Sequence, residues 1–168
     1  MTKKILVAYA SRAGATAEVA QVIGQMLGDA GAAVDVRQAK DVADLGPYRA
    51  VVLGSAVYMG GWMLEATKFV EKNRVALTHL PLATFTVSLL MVDRPSEHQQ
   101  LIATHFTGSE NQPWLQPITN GLFAGRLDYR KLSLFYRAIA KVMKAKEEDR
   151  RDWPAIRAWA GDLTAQLV

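Results

Sequence analysis

The chain has 168 residues and a net charge of +4, and half of its residues are apolar, which suits one domain with a substantial core. It contains no cysteine, which excludes disulfides, thiolate zinc sites, iron–sulfur clusters and thiol nucleophiles. No apolar run reaches the roughly 18 residues of a membrane-spanning helix, and no charged leader precedes the first strand, so we expect a cytoplasmic chain or one attached peripherally to the cytoplasmic membrane face.

Strands and helices are predicted to alternate along the chain. The predicted strands, in order, are 4–10, 33–38, 49–54, 82–90 and 117–124. The predicted helices are 15–29, 41–45, 62–74 and 95–106, with a last helix that begins after Asp152 as its N-cap. Ile156, Trp159 and Leu163 recur at helical spacing and define the buried face of that last helix.

The strands at 5–10, 50–54 and 82–90 are continuous apolar runs, which is typical of strands covered by helices on both faces. Their alternation with helices predicts an α/β fold with a doubly wound parallel sheet. Five strands with a ligand-binding loop after the first favour the strand order 2-1-3-4-5, with the ligand at the switch point between the first and third strands. We interpret residues 1–168 as a single domain without internal repeats.

The junction between the first strand and the first helix has the composition of a phosphate-binding loop. Its residues, called the phosphate loop below, are Ser11, Arg12, Ala13, Gly14, Ala15 and Thr16. Two hydroxyls flank small residues whose amides can turn inward, and the helix adds its positive N-terminal end. Because the loop lacks both the lysine of a triphosphate loop and the G-x-G-x-x-G pattern, it favours a terminal monophosphate. The alternative is an ordinary strand–helix turn.

Two more loops are expected at the same end of the sheet. The loop after the third strand contains Ser55, Ala56, Val57, Tyr58, Met59 and Gly60. The loop after the fourth strand contains Ser88, Leu89 and Leu90. Small residues beside an aromatic side chain suit a planar ligand, and hydroxyls can bond a ring edge. The three loops together indicate an anchored phosphate and a clamped flat heterocycle.

These loops resemble those of the flavodoxin-like family, and the resemblance covers nearly the whole chain. Within that family the chain is most similar to the menaquinone-dependent protoporphyrinogen oxidases, in residues 54–60, 87–89 and 124–129. The resemblance implies FMN as the cofactor, held by the residues of the three loops, and oxidation of protoporphyrinogen IX to protoporphyrin IX with a quinone as acceptor, a step of haem biosynthesis. The alternatives are an FMN electron carrier or quinone reductase without porphyrin activity, and a flavin-free scaffold.

A basic, amphipathic insertion is expected at about residues 128–151, the insertion segment. Residues 126–146 carry +6, which leaves −2 for the rest of the chain. Apolar residues recur there near helical spacing, which suits contact with an anionic membrane or an acidic substrate. The basic residues expected to make that contact are Arg126, Arg130, Lys131, Arg137, Lys141 and Lys144. A solvated helix or a contact between two copies are the alternatives, and nucleic acid binding is less favoured.

No pattern in the sequence indicates a catalytic residue or a metal site. His79, His98 and His105 are scattered, and no paired carboxylates or nucleophilic triad is evident. A flavin supplies the redox chemistry itself, so the chain needs only to bind it, orient it and tune its electronics.

Overall fold

The computed structural model describes residues 3–58, 61–88, 112–127, 130, 133–142 and 148–168. Its centre is a parallel sheet whose strands are β1 (Lys4–Ala10), β2 (Val34–Gln38), β3 (Tyr48–Tyr58), β5 (Leu82–Val87) and β6 (Asn120–Phe123). The order across the sheet is β2-β1-β3-β5-β6, which confirms the predicted doubly wound arrangement. A short extra strand, β4 (Gly61–Trp62), pairs antiparallel with the end of β3.

Helices cover both faces of the sheet. They are α1 (Ala15–Asp29), α2 (Leu64–Lys72), α3 (Arg74–Leu77), α4 (Leu134–Val142) and α5 (Trp153–Leu167), with a 3₁₀ turn at Ala39–Asp41. Ile5, Leu6, Val7 and Ala8 of β1 are all fully buried, because alternate side chains point into two separate cores. One core lies beneath α1 and α5, and the other beneath α2.

The first and last long helices begin where the sequence predicts. α1 spans Ala15–Asp29, and its chain leaves through Gly31 at a left-handed φ of 105°. Asp152 caps α5 by accepting a hydrogen bond from the Ala155 amide at 3.0 Å. Ile156 and Leu163 are fully buried, and Trp159 packs edge-on against Phe123. The predicted core face of the last helix is therefore confirmed.

Several predicted boundaries are wrong. The helix expected at 41–45 is the shorter 3₁₀ turn at Ala39–Asp41, because Val42 and Leu45 bury their side chains from an extended chain that turns at Gly46. The helix expected at 62–74 begins at Leu64, since Trp62 lies in β4. The strand expected at 117–124 is limited to Asn120–Phe123, the strand expected at 49–54 continues to Tyr58, and the strand expected at 82–90 ends at Val87. The helix expected at 95–106 lies outside the described residues.

A second, two-stranded sheet forms beside the main one. Its strands are β7 (Arg126–Leu127) and β8 (Glu148–Asp149), which pair antiparallel with Arg126 opposite Asp149. The Arg150 amide adds a hydrogen bond to the Gly125 carbonyl at 3.1 Å. We call this pair the base ribbon, because it joins the chain before the insertion segment to that segment's far end. Within the described residues, no helix is both long enough and apolar enough to span a bilayer.

Candidate functional site

The three loops predicted to bind a ligand start side by side. β1, β3 and β5 are parallel neighbours, with Ala10 opposite Ser55 and Ala56 opposite Val87. Their carboxyl ends therefore lie at one edge of the sheet, on either side of the switch point. The sheet alone brings the phosphate loop next to Ser55, Ala56 and Val57 and to Ser88.

The phosphate loop forms a tight turn into α1. The Gly14 amide donates to the Ser11 hydroxyl oxygen at 3.1 Å, and Gly14 is the N-cap of α1 with φ of 85°. Among the residues that the structure describes, no side chain caps this end of the helix. The first amides of an α-helix have no partner within the helix, and they carry the positive end of its dipole. The turn therefore fits the phosphate of a mononucleotide.

The other loop residues differ in exposure. Arg12 is exposed, Ala13 is half-buried and Ala15 is buried at the start of α1. Thr16 is 1% exposed and lies in the first turn of α1. A hydroxyl in the first turn of a helix can donate a hydrogen bond to a bound oxygen atom.

The hydroxyl of Ser55 makes hydrogen bonds within the protein. Ser55 is 0% exposed, and its oxygen accepts from the Met63 amide at 3.0 Å while its hydroxyl donates to the Ala56 carbonyl at 2.8 Å. These bonds fix the end of β3, which continues to Tyr58 and not only to the predicted residue 54, to the start of α2. Ala56 and Val57 are half-buried beside it, the backbone of Tyr58 ends β3, and Met59 and Gly60 lie outside the described residues.

The end of β5 is closed by buried hydrogen bonds. The Ser88 amide donates to the Phe123 carbonyl at 2.9 Å, and the Trp62 indole donates to the Thr86 hydroxyl oxygen at 2.9 Å. Trp62 is buried in the core, so its hydrogen bond joins β4 to β5 inside the protein. Leu89 and Leu90 lie outside the described residues.

A cluster of charged side chains lies next to the phosphate loop. Of its members, the sequence-based predictions named only Arg126. Arg126 Nη1 lies 3.1 Å from Glu18 Oε2, and Arg126 Nη2 donates to the Ala13 carbonyl at 3.3 Å. Arg151 also contacts Glu18 and lies 2.7 Å from Asp149. We call these four side chains the clasp. Arg126 and Arg151 are 108 and 133 residues from Glu18 along the chain, so no local pattern could have indicated their contacts with it.

Hydrogen bonding keeps the carboxylates of the clasp ionised. The hydrogen bond from Arg151 lowers the pKa of Asp149 to about 2. Burial raises the pKa of Glu18, but the hydrogen bond and charge of Arg151, together with Arg126, outweigh it and lower that pKa overall. The guanidinium of Arg151 is 5% exposed, and its pKa is raised by the hydrogen bond to Asp149. The clasp is therefore fully charged at neutral pH.

The insertion segment contains the predicted helix with its apolar side chains exposed. In α4, Leu134 and Val142 are each 82% exposed and Phe135 is 68% exposed. Arg137 is half-buried and donates to the Arg130 carbonyl at 3.4 Å, and Lys141 is exposed. Lys131 and Lys144 lie outside the described residues. Arg126 lies at the phosphate loop, whereas Arg137 and Lys141 belong to α4, and Arg130 is joined to that helix through Arg137. No cluster of potential metal ligands occurs among the residues that the structure covers.

Comparison with known proteins agrees with this geometry. The family described as flavodoxin domain matches residues 6–153. A protoporphyrinogen IX dehydrogenase [quinone] of Escherichia coli (strain K12) is 24% identical over 171 residues, which cover 95% of this chain and 94% of that protein.

Solved structures of flavodoxins are similar in fold. The flavodoxin of Streptococcus pneumonia TIGR4 has a TM-score of 0.58 at 15% identity, with 97% of this chain and 99% of that chain covered. Oxidised Flavodoxin 2 from Bacillus cereus has a TM-score of 0.55 at 21% identity, with 84% of this chain and 99% of that chain covered.

Proposed function

The chain belongs to the flavodoxin domain family, whose cofactor is FMN, and from that premise we propose that it oxidises protoporphyrinogen IX to protoporphyrin IX with a quinone as electron acceptor. The observation that carries the proposal is the exposed, basic and apolar helix α4, attached through the base ribbon beside the phosphate loop. The likeness of nearly the whole chain to an Escherichia coli protein of that name supports it.

FMN supplies the electron transfer when bound, and the chain's own residues hold it in place. The phosphate loop would hold the phosphate through the amides of the first turn of α1, which have no partner within the helix, and through the Thr16 hydroxyl. Residues 55–60 and 88–90 would hold the ring, and the hydrogen bonds that the Ser55 hydroxyl accepts from the Met63 amide and donates to the Ala56 carbonyl fix the first of these segments. We assign no catalytic acid or base, because the titratable groups described beside the phosphate loop are those of the clasp, and they are engaged in ion pairs with one another.

The surface of α4 suits both an acidic substrate with apolar parts and an apolar electron acceptor. Its exposed Leu134, Phe135 and Val142 suit a macrocycle or a quinone tail. Arg130, Arg137 and Lys141 suit propionate groups or anionic lipid headgroups. We therefore propose peripheral contact of the insertion segment with an anionic membrane, where a quinone is available. The insertion segment is then a functional addition to one flavodoxin-like domain spanning 1–168.

The test is an anaerobic assay of the FMN-loaded protein with protoporphyrinogen IX and a menaquinone analogue. Protoporphyrin fluorescence should rise with time only when both protein and quinone are present. A matched control is the same protein with a quinone that is already fully reduced. A protein that carries FMN and exchanges electrons with quinone, but leaves protoporphyrinogen at its background oxidation rate, would support the electron carrier or quinone reductase instead.

A further inference from the structure

Arg126 lies against the phosphate loop, although it follows the edge strand β6 and precedes the insertion segment. Its Nη2 atom donates to the Ala13 carbonyl at 3.3 Å and would lie 3.7 Å from a Cβ atom placed on Gly14. The side chain is 15% exposed. A guanidinium therefore faces the turn that fits the phosphate, and it comes from a part of the chain outside that turn.

The contacts of Arg126 are compatible with a further, anionic ligand. A guanidinium has five N–H donors in a planar fork, and the contacts to Glu18 and Ala13 engage its two terminal nitrogens. Glu18 also accepts from Arg151, so its charge remains compensated when Arg126 shares its donors with another anion. Arginine binds phosphate with short, charge-assisted hydrogen bonds.

The backbone of Arg126 belongs to the base of the insertion segment. Arg126 is paired with Asp149 in the base ribbon, and Asp149 binds Arg151 at 2.7 Å. Arg151 returns to Glu18 on the first turn of α1. The clasp therefore forms a continuous chain of contacts from the phosphate loop to the two ends of the insertion segment.

We propose that Arg126 is a ligand of the FMN phosphate, and that the bound phosphate, acting through the clasp, fastens the base ribbon to α1. Arg126 is then a cofactor-binding residue, and Glu18, Arg151 and Asp149 are positioning residues. The occupied site holds the base ribbon more firmly than the empty site. The inference rests on FMN binding in the phosphate loop and adds a phosphate-dependent link from that loop to the insertion segment.

The first test compares FMN with riboflavin, which lacks the phosphate. Dissociation constants are measured by quenching of flavin fluorescence for the wild type, Arg126→Gln and the control Arg157→Gln, an exposed arginine on α5. Arg126→Gln should weaken FMN by about 10- to 100-fold, the loss expected for a hydrogen bond to a charged group, and leave riboflavin within about twofold. Arg126→Lys keeps the charge without the fork and should fall between the wild type and Arg126→Gln.

The second test measures amide hydrogen exchange of peptides that contain the base ribbon. FMN should slow exchange in these peptides several-fold more than riboflavin at equal saturation in the wild type and in Arg157→Gln. In Arg126→Gln, saturating FMN and riboflavin should protect them equally. Retained riboflavin binding shows that each variant is folded.

The outcomes separate this inference from the proposed function. If Arg126→Gln keeps the wild-type preference for FMN, or if both flavins protect the base ribbon equally in the wild type, the inference is overturned while the oxidase proposal stands. If the wild type does not prefer FMN to riboflavin, the phosphate loop itself is misassigned and both fail. If the preference depends on Arg126 but protoporphyrinogen is not oxidised, the inference stands and the proposed activity falls.

Discussion

Replacing Gly14 with alanine should lower the stability of the fold by an amount that its backbone angle determines. Gly14 has φ of 85°, a left-handed conformation that costs other residues about 1–2 kcal/mol. Alanine also restricts the unfolded chain, which offsets about 0.4–1 kcal/mol of that cost. The new Cβ would meet Arg126 Nη2 at 3.7 Å, an ordinary contact, so no steric penalty is added. The net loss is about 1 kcal/mol, or about 2–4 °C in Tm for a chain of this length.

The matched control is Gly31→Ala. Gly31 has φ of 105° just beyond the other end of α1, and a Cβ there would meet nothing within 4 Å. The two substitutions should therefore cost similar stability, measured as Tm by circular dichroism of the flavin-free proteins. Only Gly14→Ala should also weaken FMN, by about tenfold, because a shifted turn misplaces at least one amide that the phosphate requires. Flavin fluorescence titration measures that difference.

Two results would refute the reasoning. Equal FMN affinities for the two variants would mean that the turn at Gly14 does not position the phosphate. An unchanged Tm for Gly14→Ala would mean that the left-handed conformation imposes no cost at this position.

The remaining predictions concern other parts of the site. Thr16→Val should weaken FMN about 10- to 100-fold more than riboflavin, since the lost hydroxyl addresses the phosphate, and equal losses for the two flavins in fluorescence titrations would contradict this. Replacing Arg137, Lys141 and Lys144 with Glu should leave FMN bound but weaken binding to anionic vesicles, with each lost basic residue removing about 1 kcal/mol at low salt; unchanged sedimentation with vesicles would count against membrane contact. Because the hydrogen bond from Arg151 lowers the pKa of Asp149 to about 2, the stability that Asp149 contributes is present above about pH 4 and is lost as the pH falls towards 2. Solvent screening of this half-exposed carboxylate limits that contribution to about 1 kcal/mol or less. In urea unfolding, the wild type should therefore be slightly more stable than Asp149→Asn at pH 6, and this difference in free energy of unfolding should disappear at low pH.

The sheet was predictable because its signals are local. β1 and α1 lie at the predicted residues, since a continuous apolar run followed by a helical pattern leaves few alternatives. Asp152 was identifiable as an N-cap from its place before the apolar face of α5. The strand order followed from the alternation of strands and helices, and the structure confirms it.

The parts that sequence reasoning missed depend on distant contacts or on very short elements. β4, β7 and β8 have two residues each, too few for any periodicity. Glu18 looks like an ordinary exposed acid on α1 until the fold brings Arg126 and Arg151 beside it. Ser55 was predicted from composition to face a ligand, but composition does not reveal that the Met63 amide would need its hydroxyl. The contact of Ser55 with the cofactor stays a prediction. Because the hydroxyl of Ser55 is engaged with Met63 and Ala56, we expect that contact to involve its backbone atoms.

The base ribbon makes the insertion segment separable from the rest of the fold. Arg126 and Asp149 are directly paired, so the chain leaves and re-enters the domain at one point. The entropy of closing such a loop grows slowly, by about 0.6 kcal/mol for each doubling of its length. The residues between the ribbon strands can therefore lengthen, shorten or change in composition with little effect on the sheet. At this position, related flavin-binding proteins can carry different inserted segments. Such proteins can bind different partners while they keep the same sheet and the same cofactor.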